Sequence, residues 1–252
     1  MKKIFFFALL PFLFIIGCNS GNNKNTYSEI FKKHKPRIDE IRNFLTGLKN
    51  SIPEAGTRAV VIGKLNPILD MTDKEDLNNT IVLQYDFLDQ PETFYSADSL
   101  YGLFNNRIVA EAFQWSGINQ ERKIFEMDYL KDAEVDKILN VLSTERFPYL
   151  LVTRTIRSEP FQIKQAGEFS GGNTTAAFYV YDLRSKKLLS SNTFSASPAA
   201  DLMIAYNQRS GASGQRDAAK SKAKETMKKN MRDKVFGWLK EITGNTVVMI
   251  GY

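Results

Sequence analysis

The sequence is poor in the two residue types that most often bind metals and carry nucleophilic chemistry. Among 252 residues there is one cysteine, Cys18, and one histidine, His34. Structural zinc sites draw their four ligands mainly from these two types, so a Cys/His zinc site and a multi-histidine metal site are both excluded. A disulfide needs two cysteines, so the stability of the folded chain must come from the burial of apolar side chains. A Ser-His-Asp triad would have to use His34.

The sequence also lacks the glycine-rich motifs that cradle phosphate groups. Neither G-x-x-x-x-G-K-[ST] nor G-x-G-x-x-G occurs, so no nucleotide cofactor is predicted. The acidic segment 70–76 lacks the glycine and the alternation of an EF-hand loop, and we interpret it as a solvated loop. A carboxylate pair could hydrolyse glycosides without histidine or metal, but the 28 acidic residues single out no pair. We therefore assign no catalytic residue, no cofactor and no metal site.

The N-terminus has the charge and length pattern of a secretory signal. Lys2 and Lys3 precede an uncharged run over residues 4–16. A helix of that length spans roughly 20 Å, against about 30 Å for the hydrocarbon core of a bilayer. The run is therefore the apolar core of a signal peptide and is too short for a comfortable membrane span. The polar segment 19–26 (NSGNNKNT) follows it.

The signal ends in Ile15-Ile16-Gly17-Cys18, which resembles the lipobox of bacterial lipoproteins. The resemblance implies a diacylglyceryl thioether on the Cys18 sulfur, cleavage after Gly17 and acylation of the new amine, for example by palmitate. Two or three acyl chains anchor a protein stably. Residues 1–17 would be the signal peptide, and residues 18–26 the lipidated cysteine and a flexible tether.

The same resemblance implies a location at a bacterial membrane. Asn19 replaces the aspartate that often retains such proteins at the inner membrane, so the outer membrane is favoured. The folded part would then lie in the periplasm or at the cell surface.

Four apolar patterns predict helices. Residues 27–50 carry an apolar stripe at helical spacing, on which His34 would be a half-buried packing residue. Pro36 interrupts this stripe, so we expect a kink, or two helices that meet at Lys35. Further helices are predicted over 99–115 and 132–145. A long helix over 218–243 carries Met227, Met231, Val235, Trp238, Leu239 and Ile242 on one side, and Gly244 ends it.

The β-rich runs predict a sheet. They lie at 58–65, 80–88 and 149–155, and a final buried strand is expected over 247–252. A three-strand antiparallel meander is predicted over 160–195, with turns at the GGN of 171–173 and the RSKK of 184–187. The Gly/Ser-rich residues 206–217 are expected to form a mobile loop. We therefore predict one α+β domain over 27–252, with a single mixed, largely antiparallel sheet packed by helices.

The charge balance is mildly basic. Removal of Lys2 and Lys3 from 34 basic residues leaves 32 against 28 acidic ones, a net charge near +4. This charge favours an anionic lipid surface or wall polymer as a partner, whereas an export signal argues against nucleic acid. The basic first half of the last helix would gain about 1 kcal/mol per cation at anionic headgroups. We favour a solvated face opposite the apolar stripe.

The sequence thus predicts an envelope-anchored lipoprotein that acts as a non-enzymatic binding or assembly partner of an envelope protein complex or wall polymer. Two alternatives stay open: a lipid-anchored hydrolase that uses carboxylates, and a carrier of a small apolar ligand. Two carboxylates about 5–10 Å apart in a deep pocket would favour the hydrolase. A large dry apolar pocket would favour the carrier, and a filled core with an exposed patch would favour the binding protein.

Overall fold

The computed structural model describes residues 23–53, 69–70, 80–91, 136, 139–140, 148–163, 169–198, 212–244 and 247–248. Its helices are α1 (Asn23–Ser51) and α2 (Ala212–Thr243). Its strands are β1 (Leu69–Asp70), β2 (Thr80–Gln84), β3 (Tyr149–Ile163), β4 (Phe169–Asp182), β5 (Lys187–Ala196) and β6 (Val247–Val248). Residues 136 and 139–140 are also helical.

The main sheet has four strands in the order β2-β3-β4-β5. Strand β2 is parallel to β3, with Thr80 opposite Tyr149, and the other two pairs are antiparallel. The predicted α+β class and the mixed, largely antiparallel sheet are therefore confirmed. Consecutive residues of the inner strand β3, such as Leu150, Leu151 and Val152, are all buried. Burial of successive residues means that both faces of the sheet are covered.

The two long helices cover opposite faces of the sheet. Helix α1 packs on one face, where the rings of Phe44 and Tyr181 meet edge to face. Helix α2 packs on the other face, where Trp238 contacts Phe194. Neighbouring residues of a strand point to opposite faces, and the register places Phe194 on the side of Phe178, away from Tyr181. The described part of the domain is therefore a helix–sheet–helix sandwich.

The apolar stripe of α2 is confirmed. Met231, Val235, Leu239 and Ile242 are fully buried, Trp238 is nearly so, and Met227 packs at the margin of the core. The helix ends at Thr243, and Gly244 adopts a positive φ of 67°. Glycine takes this left-handed conformation without steric cost, which is why it ends the helix.

The predicted turn at the GGN of 171–173 is wrong. Strand β4 passes through these residues, with Gly171 opposite Phe161 and Asn173 opposite Glu159. This register places Gly172 opposite Pro160, which has no N–H for the ladder. Gly172 adopts a φ of 78° there, so the glycine serves a local irregularity of the strand and not a chain reversal. The meander is therefore β3-β4-β5, and the strand predicted at 149–155 is its first member. Its second turn, at 183–186, is confirmed.

Three element boundaries also differ from the predictions. Strand β2 ends at Gln84 instead of residue 88, because Tyr85–Phe87 form a 3₁₀ turn. The Tyr85 hydroxyl donates a hydrogen bond to the Lys49 carbonyl, so this turn directs the chain towards α1. Helix α2 begins at Ala212, so the last six residues of the predicted loop 206–217 are helical. Helix α1 begins at Asn23, four residues before its predicted start, and continues through Pro36 as one helix.

The last strand lies apart from the main sheet. Val247 and Val248 pair with Leu69 and Asp70 in a parallel two-stranded ladder, which the single-sheet prediction did not include. The predicted strand at 58–65 and helix at 99–115, and most of the helix at 132–145, lie outside the described residues.

The sheet has two distinct ends. At the turn end, residues 183–186 connect β4 to β5. At the other end, residues 159–163 of β3 and 169–173 of β4 pair only with each other, and we call these residues the arm. The arm extends the sheet beyond the last paired residues of β2 and β5, and it defines the arm end.

The helices begin at opposite ends of the sheet. Pro53, two residues after α1, contacts Tyr179. Further back, within α1, Phe44 contacts Tyr181 and Glu40 pairs with Lys186 in the turn. The first half of α1 therefore lies at or past the turn end. In α2, Trp238 contacts Phe194 within β5, whereas the earlier residue Asn230 contacts Ser197 just after β5. The contacts of α2 therefore approach the arm end as the helix is followed back towards its start. The first half of α2 therefore continues past the end of β5, at the arm end.

Candidate binding surface at the arm end of the sheet

An open polar cleft lies between α2 and the end of β5. Its volume is about 530 Å³. The polar residues that line it are Asn173, Ser195, Ser197, Asn230, Asp233 and Lys234. They come from the start of β4, from the end of β5 with the residue after it, and from the middle of α2. The cleft thus depends on the packing of the C-terminal helix against the edge of the sheet.

Two side chains of α2 fix this edge. The Lys234 Nζ donates a hydrogen bond to the Ser195 carbonyl at 2.7 Å, and the Asn230 Nδ2 donates one to the Ser197 carbonyl at 2.8 Å. Strand β5 is an outer strand of the sheet, and free carbonyls on an outer strand are a template for pairing with another chain. The helix side chains therefore join α2 to the end of β5 and occupy this part of the edge.

The chemistry of the cleft favours hydrogen bonding over glycoside hydrolysis or apolar binding. Among its described lining residues, Asp233 contributes a carboxylate, whereas glycoside hydrolysis needs two. Hydroxyl, amide and charged groups make up the rest, so an apolar ligand would leave them without hydrogen bonds. The cleft can instead hold a polar or charged group of a partner.

Helix α2 carries a strongly basic stretch next to the cleft, which we call the cationic segment (residues 216–234). It holds eight basic and three acidic residues, a net charge of +5, while the whole chain has +6. Lys220, Lys224 and Lys229 are exposed. Within the part of the chain that the structure describes, no carboxylate lies within ion-pair distance of these three lysines. Lys222, by contrast, is 3.0 Å from Glu225.

His34 does not belong to this surface. Its side chain is 2% exposed, so it is buried and not half-buried as predicted. Its Nε2 lies 2.8 Å from the Asp136 Oδ1, and the Lys33 Nζ lies 2.9 Å from the same oxygen. An ionised carboxylate only accepts hydrogen bonds, so the His34 Nε2 carries the proton. The pair joins α1 to the helical residue Asp136, 102 positions away.

The burial of His34 argues against a catalytic role for this pair. A general base must come within hydrogen-bond reach of the proton that it removes from a substrate. The imidazole is enclosed by protein, and the more exposed Asp136 carboxylate accepts its hydrogen bond from the solvent side. We therefore interpret the pair as a structural link between α1 and the segment that contains Asp136.

Removal of the Asp136 carboxylate should weaken this link. We expect Asp136→Ala to lower the free energy of unfolding by about 1 kcal/mol at neutral pH, because the buried His34 N–H loses an acceptor. Asp136→Asn keeps an acceptor oxygen and should lose less. Urea unfolding followed by circular dichroism measures both; equal stability of all three proteins would contradict the link.

The effect of Asp136 should also depend on pH. Hydrogen bonds from His34 and then Lys33 hold the pKa of Asp136 below its usual value of 3.8. A lowered folded-state pKa contributes stability above the unfolded-state pKa, and this contribution disappears as the pH falls through the folded-state value. The difference between wild type and Asp136→Ala should therefore shrink below about pH 4.

The predicted lipid-attachment residue, Cys18, lies outside the described residues, as does the lipobox. Within the described ranges, no three His, Cys, Asp or Glu side chains group closely enough to hold a metal ion. Neither α1 nor α2, the long helices that the structure describes, has an apolar stretch sufficient to span a membrane.

The cleft and the His34–Asp136 pair were missed at the sequence level. The cleft residues are polar and lie in three separate segments, so no local spacing marks them. Asp136 was placed in a predicted helix, but nothing near it in the sequence indicates His34 as its partner. Of the surface features, the lysine-rich stretch of α2 was visible in the sequence.

Comparison with known proteins gives little further guidance. No protein-family model matches the chain, and no curated protein matches it. One similar solved structure is that of the hypothetical protein CT253 from Chlamydia trachomatis, at 11% sequence identity and a TM-score of 0.28. The alignment covers 72% of this chain and 100% of that one. A likeness this distant carries no argument about fold or function.

Proposed function

We propose that the chain is a lipid-anchored, non-enzymatic binding protein of the bacterial envelope, which holds an envelope protein complex or wall polymer away from its membrane. The anchor is Cys18, and the partner binds at the arm end of the sheet. The observation that supports the proposal best is that α1, which follows the anchor, begins at the turn end, while the cleft and the cationic segment lie at the opposite end.

The start of α1 keeps the turn end near the anchor. Asn23, where the helix begins, is five residues after Cys18, and five residues span at most about 18 Å. The ion pair between Glu40 and Lys186, 2.8 Å long, places the middle of α1 beside the turn. A lipid on Cys18 would therefore hold this end of the domain against the bilayer and leave the arm end to face outwards.

The described interior favours a binding protein over the two alternatives. Both faces of the sheet are covered by packed side chains, such as Phe178 and Leu45, that are fully buried. A carrier of an apolar ligand needs a dry apolar pocket, whereas the cleft is open and polar. A hydrolase needs paired carboxylates, and the described residues of the cleft supply Asp233. A filled core with a charged surface is what a binding protein needs.

The anchor is tested by Cys18→Ser. A hydroxyl in place of the thiol cannot form the thioether, so we expect the protein to move from the membrane fraction to the soluble fraction of the cell. Ser20→Ala, two residues further on, leaves the lipobox intact and should stay with the membrane. Fractionation and immunoblotting measure both. Membrane association that is unchanged in Cys18→Ser would refute the anchor.

The proposed partner-binding site at the arm end is tested in the same cells with a photo-crosslinking residue. Placed at the exposed Ser197 beside the cleft, it should capture a specific envelope component, identified by mass spectrometry. Placed at the exposed Ser185 in the turn, it should capture lipid or nothing specific. The same products from both positions, or none from Ser197, would count against a binding site at the arm end.

A further inference from the structure

We propose that the cationic segment of α2 binds a repeating anionic polymer of the envelope, through the exposed Lys220 and Lys224, which lie on one side of the helix. The inference deepens the proposed function, on which it rests for the location of the protein, by naming the chemistry of the partner. The polymer carries regularly spaced carboxylate or phosphate groups, and it lies on the side of the domain that faces away from the anchor.

The first step is the change in character along one face of α2. Lys224 and Lys220 lie seven and eleven residues before Met231, so they occupy the same side of the helix as the buried stripe. Over the sheet this side is apolar and buried, as at Met231 and Val235. Past the end of β5 it is cationic and exposed. Lys220 and Lys224 are therefore exposed on the side of the helix that would otherwise pack on the sheet, while Ala219 and Ala223 beside them are buried on an adjoining side.

The second step is the electrostatic cost of this face. Lys220, Lys224 and Lys228 follow one another at intervals of four residues, where side chains are neighbours on a helix. Like charges at this spacing destabilise a helix by about 0.2–0.5 kcal/mol per pair. Within the described part of the chain, no acidic side chain pairs with Lys220 or Lys224. A bound polyanion would supply the missing counter-charge.

The third step is the kind of side chain on this surface. Its exposed residues include lysine and serine, which are depleted in protein–protein interfaces, whereas aromatic residues and arginine are enriched there. Lysine acts as a mobile point charge without a fixed bonding geometry. Residues four apart lie about 6 Å apart along the helix axis. Such an array fits a flexible chain of repeated anions better than it fits a folded protein.

The fourth step is the position of the segment. The sheet is about 27 Å long from the turn to Thr174, where the pairing of β4 with β5 ends. From Asn230 towards its N-terminus, α2 continues for a further 18 residues, or roughly 27 Å. With the turn end held at the bilayer, the cationic segment points away from the anchoring membrane. Its anionic partner is therefore a polymer and not the headgroups of that membrane.

The test measures binding of the purified chain 18–252 with Cys18→Ser to immobilised polyphosphate and poly-L-glutamate. We expect Lys220→Gln/Lys224→Gln to weaken binding roughly 10- to 30-fold, since each cation near an anionic surface contributes on the order of 1 kcal/mol. The wild-type affinity should fall with salt, because the release of condensed counterions gains less entropy at a higher salt concentration, and the variant should show a smaller salt slope.

The matched control is Lys32→Gln/Lys187→Gln. These two lysines are also exposed, their replacement removes the same charge, and they lie on the first half of α1 and beside the turn. We expect this variant to bind the polymers like the wild type. Equal weakening of both double variants would mean that net charge alone is responsible, and it would overturn the inference.

Two further outcomes would also overturn it. One is absence of polymer binding by the wild type, and the other is tighter binding to mixed phosphatidylcholine and phosphatidylglycerol vesicles than to either polymer. If the polymer fails to bind while Ser197 still captures a protein in cells, the inference fails but the proposed function stands. If the polymer binds while Cys18→Ser remains in the membrane fraction, the anchor fails but the polymer-binding surface of α2 stands.

Discussion

Replacement of Phe178 by alanine should lower the free energy of unfolding by about 3–5 kcal/mol, the range for loss of a buried aromatic ring. Phe178 lies in the middle of β4 and is fully buried. Its ring centroid is 5.9 Å from that of Phe194, which in turn is 6.1 Å from that of Trp238 on α2. Alanine would leave a cavity between the sheet and α2, in the row of rings that joins them.

Urea unfolding of Phe178→Ala, followed by circular dichroism, measures this loss. The matched control is Ile156→Ala, because Ile156 is also apolar and on the sheet but is 41% exposed at the bulge of β3. We expect the control to stay within about 0.5 kcal/mol of the wild type. A loss below about 1 kcal/mol for Phe178→Ala would mean that α2 does not pack on the sheet as described.

The elements that could be predicted from the sequence are those with a local pattern. The stripe of α2 from Met231 to Ile242 repeats at helical spacing, and the same residues are buried in the structure. Gly244 marks the end of that helix because its position needs a left-handed backbone. The run at 149–155 is rich in apolar and β-branched residues, and it forms the first part of β3. Periodicity and end signals act over a few residues, so the sequence displays them directly.

The wrong turn at 171–173 shows why local patterns fail elsewhere. Two glycines and an asparagine favour positive φ values, which a hairpin turn requires. Gly172 does adopt a positive φ, but it does so inside β4, opposite Pro160. The two uses of glycine have the same local signature. The choice between them depends on the register of β3 against β4, which joins residues more than ten positions apart.

The candidate surface depended on packing in a similar way. The sequence shows that residues 216–234 are basic, and it favours a solvated face for them. What changes the interpretation is the position at which β5 ends. The contact between Ser197 and Asn230 marks this end and leaves Lys220 and Lys224 past it along α2. The cleft itself needs Asn173, Ser197 and Asp233 together, and no spacing in the sequence brings them to one place.

Replacement of Pro36 by alanine should raise the free energy of unfolding by about 2 kcal/mol. Pro36 is exposed and lies inside α1, which continues past it as one helix to Ser51. Proline in a helix interior costs about 3 kcal/mol relative to alanine, because it removes one hydrogen bond and its ring crowds the preceding turn. The greater freedom of the unfolded alanine chain offsets roughly 0.4–1 kcal/mol of the gain.

Urea unfolding again provides the measurement, and the same experiment decides between one helix and two. Lys35→Ala is the matched control, since Lys35 is the exposed neighbour of Pro36 and forms a surface ion pair with Asp39. It should change stability by less than about 0.5 kcal/mol. If α1 were two helices that meet at Lys35, Pro36 would occupy the first turn of the second one, where proline is tolerated. In that case Pro36→Ala would give no gain in stability, and the continuous helix would be refuted.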